Sequence, residues 1–146
     1  MNVKQALKEK NRLVKKIQET YSKILGYNSI EVTNTRPYSV NELRAQVIRM
    51  TEDLIVLKTK INIANTPVYH MIFRLSELKN AVTKYKNMDC TEGVANDYYS
   101  RNRENPPVKT SEISIVGRDE IVKTLESEID KIQDYLDAHN QNTMID

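Results

Sequence analysis

Apolar positions recur along most of the chain at alternating gaps of three and four residues, which is the pattern of amphipathic helix. The most regular row is Leu43, Val47, Met50, Leu54, Leu57, Ile61 and Ala64. It spans three heptads, enough for a helix-packing seam. Ile48 and Ile55 add a second stripe seven apart, so this helix, over 40–65, is expected to meet partners on two sides. Ser39-Val40-Asn41-Glu42 in front of it reads as a capping box, with the Ser hydroxyl taking one free N–H and the Glu reaching back to another.

Three further helices follow from the same spacing. Val3, Leu7, Val14, Ile17, Tyr21 and Ile24 share a face over 3–25, interrupted by Lys10 and widened by Leu13 and Leu25, with Gly26 as a stop. Thr66-Pro67 suits a helix start, since proline at the first helical position loses nothing by lacking an N–H. Val68, Met71, Leu75, Leu78, Val82 and Tyr85 then mark a helix over 67–87, broadened by Ile72. The short link between the second and third helices predicts an antiparallel hairpin cornered at Asn65-Thr66-Pro67. Ile121, Leu125, Ile129, Ile132 and Leu136 form the last face over 118–140, with Asp119 and Glu120 expected in its first turn.

Between the helices the pattern weakens. Ile30-Glu31-Val32 and Glu112-Ile113-Ser114-Ile115-Val116 alternate like strands and could pair. Gly93, Asn96-Asp97 and Asn105-Pro106-Pro107 break helix in the long segment before the second of these. The predicted fold is a mainly all-α, four-helix antiparallel bundle in one domain, with a long central helical hairpin and a small two-stranded patch. The tail from Asn140 is expected to fray unless Met144 and Ile145 dock.

Composition narrows the class. The chain has 146 residues, with 3 Gly, 4 Pro, 8 Tyr and no Trp, which suits long helices with an Ile, Leu and Val core. A single Cys, Cys90, rules out an internal disulfide framework. No apolar run reaches secretory or transmembrane length, so a cytoplasmic location is expected. Net charge is +2 but uneven. Residues 1–26 hold seven Lys/Arg and two Asp/Glu, a balance of +5; residues 117–146 hold three and eight, a balance of −5. That opposition predicts terminal helices lying side by side. It also disfavours nucleic acid and membrane, which the acidic end would repel.

Candidate chemistry is sparse. His70 and His139 are the only histidines, and neither sits in a Glu-x-x-His or His-Glu-x-x-His arrangement. No metal and no cofactor are therefore expected. Cys90 has no histidine near it in sequence to act as a base. Gly26, Gly93 and Gly117 are isolated, so no phosphate-cradling loop exists. Tyr98-Tyr99-Ser100-Arg101-Asn102-Arg103 could hold an anionic group, with Asp97 and Glu104 blunting its charge. The residues singled out for ligand contact are Asn62 and Asn65 at the corner, Tyr99 and Arg101 in that loop, and Asn140 at the tail. The amides of Asn62 and Asn65 are equally suited to holding helix-end backbone groups.

Several short motifs bring in a resemblance. Leu57 to Thr66 contains Ile61-Asn62 and Asn65, which resembles the helix-ending "I-N-x-x-N" segment of the septicolysin-like family of small bacterial helical proteins. Ala6-Leu7 to Leu13 is similar to its opening "A-L-x-x-R/K-x-x-L" helix, Tyr99-Ser100-Arg101 to its "Y-S-R" loop, and Ile132-Gln133, Asn140 and Thr143 to its "I-Q-x-x-N-x-T" tail. The chain departs from the family at Phe73-Arg74-Leu75-Ser76-Glu77, where an Ala-Arg-Arg-Asp run is usual, and after Asn140, where Gln141-Asn142 replace a Trp. The resemblance implies a helical bundle and self-association, and supplies no reaction.

The expectation is thus a non-enzymatic structural or interaction protein, a homo-oligomer held by helical seams, with another protein as an alternative partner. The first alternative is a small-molecule or anion-binding protein, with or without enzyme activity, whose site lies at the 98–103 loop near the 62–66 corner. The second is a cytolysin-like or membrane-associated protein, which the family name suggests and the absence of a long apolar helix or amphipathic barrel strand disfavours.

Overall fold

The computed structural model describes residues 1–94, 102 and 104–146. Among these the helices are α1 (Val3–Tyr27), α2 (Val40–Asn65), α3 (Tyr69–Lys86) and α4 (Ile115–Asn142), and the strands are β1 (Gly93–Val94) and β2 (Val108–Lys109). The chain is mainly α with a small extended patch, as the patterning predicts. It divides into two compact units, one of Met1–Tyr69 with Asp137–Asp146 and the other of His70–Leu136.

In the first unit, α1 and α2 form the helical pair. The row on α2 is the expected one: Leu43, Val47 and Ile61 are buried, and Met50, Leu54, Leu57 and Ala64 half-buried. On α1 the expected face is covered except at Tyr21, with Val3 buried and Leu7, Val14, Ile17 and Ile24 half-buried, and its most buried line also takes in Ala6, Leu13 and Thr20. Large side chains dominate a hydrophobic pattern, but close helix contact selects small ones. Ala6 and Thr20 let the backbones approach, and Thr20 donates its hydroxyl to the Lys16 carbonyl at 2.8 Å, so its burial leaves no donor unpaired.

Caps fix the ends of this pair. Asn2 and Gln5 make a full capping box on α1, with Gln5 N–H to Asn2 Oδ1 at 2.9 Å and Asn2 N–H to Gln5 Oε1 at 3.0 Å. Ser39 caps α2 by accepting from the Glu42 N–H at 3.3 Å. Gly26 is not a stop: α1 runs through it to Tyr27 and ends on Asn28 in right-handed geometry. The 28–39 connection is pinned at both ends. Arg36 donates to the carbonyls of Tyr27 and Asn28 at 2.9 and 3.0 Å, Tyr38 stacks edge-on against Tyr27, and the Lys23 ammonium lies 4.7 Å from the Tyr38 ring centre.

The corner at Asn65-Thr66-Pro67 is helical throughout. No non-helical residue separates α2 from α3. Thr66–Val68 form one 3-10 turn, with Asn65, Thr66 and Tyr69 all in right-handed helical geometry. Pro67 interrupts the hydrogen-bond ladder, and the tighter 3-10 turn accommodates it.

In the second unit, α3 and α4 contribute the expected apolar faces, with Val82, Val122, Ile132 and Leu136 buried and Met71, Leu75, Leu78, Tyr85, Ile121, Leu125 and Ile129 half-buried. Arg74 pairs with Glu128 at 2.5 Å and Lys86 with Glu126 at 3.0 Å across them. α4 begins three residues before its expected start, because Ser114 accepts from the Gly117 N–H at 3.0 Å. Asp119 and Glu120 consequently fall beyond the first turn.

The strand pairing differs as well. Ile30-Glu31-Val32 is irregular, with Val32 fully exposed, and Ile115 opens a helix. The antiparallel pair is β1 with β2, Gly93 opposite Lys109 and Val94 opposite Val108. Gly93 takes φ +77°, a left-handed conformation that favours glycine. Joining segments close in sequence costs less chain entropy than joining 30–32 to 112–116. Side chains tie the patch down: Asp89 accepts from Thr91 and from Lys109, and Glu92 from the Ser111 N–H at 3.0 Å and its hydroxyl at 2.6 Å.

Candidate interaction surface

The first unit brings three groups of residues together at the surface. The first is a polar knot. His139 Nε2 lies 3.2 Å from Asn65 Oδ1, and His139 Nδ1 lies 3.1 Å from the Thr143 hydroxyl. With the proton on Nε2, the ring donates to Asn65 and accepts from Thr143, so both ring nitrogens are satisfied. The tail does not fray. Val3 N–H donates to the Thr143 carbonyl at 2.9 Å, Ile145 N–H to the Met1 carbonyl at 2.9 Å, and Asn2 Nδ2 to the Gln141 carbonyl at 3.1 Å. Asn2 and Met144 thereby make an antiparallel bridge.

The residues singled out from sequence divide as follows. Asn65 is in the knot. Asn62, three residues earlier, is exposed; the Tyr69 hydroxyl bonds both its side-chain oxygen and, at 3.1 Å, its carbonyl. Asn140 is half-buried next to His139 on the last turn of α4. The corner and the tail therefore do meet, through His139 rather than Asn140. Tyr99 and Arg101 lie outside the described residues, as does Arg103. His70 is exposed and Cys90 buried. Among the described residues, no three of His, Cys, Asp and Glu converge as a metal site, and no helix is long and apolar enough to cross a membrane.

The second group is an open groove of about 530 Å3. Met1, Leu13, Val56, Leu57 and Ile145 give it an apolar lining, and Glu9, Arg12, Asp53, Lys60 and Asp146 a charged one. Arg12 grips Glu9 in a two-pronged pair at 2.6 and 2.8 Å, and that hydrogen bonding holds the Glu9 carboxyl below its ordinary range. The groove carries both charges, three acidic side chains and two basic ones, and Arg12 is already engaged by Glu9.

The third group is a row of apolar side chains along α2, roughly half a turn round the helix from the seam with α1. Ile48 is 48%, Ile55 51%, Val56 53% and Ile63 66% exposed. Ile48 and Ile55 are the second stripe that the sequence shows; Val56 and Ile63 extend it. Single exposed apolar residues are ordinary, but an aligned row on one helix face is a mark of an interaction site.

Compared with protein-family models, with curated proteins and with solved structures, the chain matches none.

Proposed function

We propose that this chain is a non-enzymatic structural protein that assembles with copies of itself through helical faces. The observation that carries this reading is the uncovered row Ile48, Ile55, Val56 and Ile63 on α2. A cytoplasmic protein with one buried, reduced cysteine fits the same reading. Self-association is also what the resemblance to the septicolysin-like family implies. The ligand-binding reading draws less support, because the side-chain oxygens of Asn62 and Asn65 are already bonded within the unit.

Sedimentation velocity over a dilution series tests the reading. The native chain should sediment above monomer mass at micromolar concentration and dissociate on dilution. A monomer throughout would overturn it.

A further inference from the structure

The outer row of α2 has a symmetry that a single chain does not use. Ile48, Glu52, Ile55, Val56, Thr59 and Ile63 are separated by steps of 4, 3, 1, 3 and 4 residues. The sequence of steps is the same in both directions, with its centre between Ile55 and Val56. Resting on the self-association just proposed, we infer that two copies pair through α2 in antiparallel sense, about a two-fold axis passing between Ile55 and Val56. In that arrangement Ile48 packs on the second copy's Ile63 and Ile55 on its Val56, and each contact occurs twice, as an isologous interface requires.

The charges choose the antiparallel sense over the parallel one. Side by side and in register, two parallel helices would set Glu52 against Glu52 and Lys60 against Lys60. Antiparallel, Glu52 falls opposite the second copy's Thr59, one residue from its Lys60, and attraction replaces repulsion. Neither Glu52 nor Lys60 has an ion-pair partner among the described residues. Thr59 already donates its hydroxyl to the Ile55 carbonyl at 2.9 Å, so it offers the partner its methyl group without an unpaired donor.

Disulfide trapping reads the register directly. The row is about 22 Å long at the helical rise, and a disulfide needs Cα atoms within roughly 7 Å. In a Cys90→Ser background, Ile48→Cys and Ile63→Cys chains are oxidised separately and as an equimolar mixture, with sedimentation of each unoxidised sample alongside. A covalent dimer from the mixture, and from neither chain alone, is the expected result. A covalent dimer from Ile48→Cys alone would show parallel pairing and overturn the inference. Self-association of these chains without any covalent dimer would overturn it too, while leaving the reading of a self-associating protein intact. A monomeric native chain would overturn both. A second pair of variants avoids cysteine. Glu52→Lys and Lys60→Glu should each weaken assembly by roughly tenfold through like-charge contacts. Mixing the two should restore it, since each mixed pair regains both attractions; no restoration would count against the antiparallel register.

Discussion

The two apolar rows of α2 differ in what they are for, although they lie on one helix and use the same residue types. The inner row, from Leu43 to Ala64, is covered by α1 and shares a core with Val3, Ala6, Leu13 and Thr20. The outer row, from Ile48 to Ile63, is about half exposed along its length. Hydrophobicity alone does not separate them. What does is the surroundings: the inner row faces small residues that allow close approach, and the outer row is spaced symmetrically with one carboxylate inside it. One row holds the fold together, and the other is left open to solvent.

Substitutions should separate these roles. The largest effect is expected from the inner seam. Leu13→Ala leaves a cavity in a helical pair with little other core and should cost about 2–5 kcal/mol, read as a large fall in the chemical-denaturation midpoint. If it changed assembly and left the midpoint unmoved, the assignment of the rows would be reversed. Ile55→Asp, on the outer row, should do the opposite: the dilute chain keeps its stability to within about 0.5 kcal/mol, and sedimentation reports loss of the assembled species.

Smaller effects test the knot. His139→Ala removes the group bonded to both Asn65 and Thr143 and should cost about 1 kcal/mol. In a double-mutant cycle with Asn65→Ala, the two costs should fall short of additive; strict additivity would mean that the pair does not interact in solution. The smallest effect is expected at Asp89, remote in sequence from both rows. Hydrogen bonds from Thr91 and Lys109 hold its carboxyl well below the ordinary carboxylate range. A depressed folded-state pKa adds stability above the unfolded-state value and loses it as pH falls through the folded-state value. Asp89→Asn should therefore lower the thermal midpoint slightly at neutral pH, with the difference from the native chain closing in strong acid. A constant difference across that range would show that the loss is not electrostatic.

Local chemistry made much of this structure readable beforehand. The bounds of α2 follow from Ser39 at one end and the loss of periodicity at the other, and Val40–Asn65 matches them. The apolar faces of α3 and α4 were equally plain. The errors share a cause, which is that they concern contacts between distant residues or choices among local options. The α1 seam runs through Ala6 and Thr20 because packing distance, invisible in a hydrophobic count, favours small side chains. Thr66-Pro67 is compatible with the direct start of an α-helix or with a 3-10 turn, and local sequence does not choose between them. Asn65 was recognisable as an unusual polar residue at a helix end, but its partner His139 lies 74 residues away. Ile48 and Ile55 already marked the outer face; Val56 and Ile63 joined it only once the position of α1 showed which side of α2 was open.

The 28–39 connection has a practical side. It is exposed over most of its length and lies between two long helices, the sort of segment where proteases usually enter. Its one basic residue is Arg36, followed by Pro37. Trypsin cuts poorly before proline, and the Arg36 side chain is folded back onto the end of α1. Limited tryptic digestion should therefore spare the most open stretch of the first unit and leave α1 joined to α2.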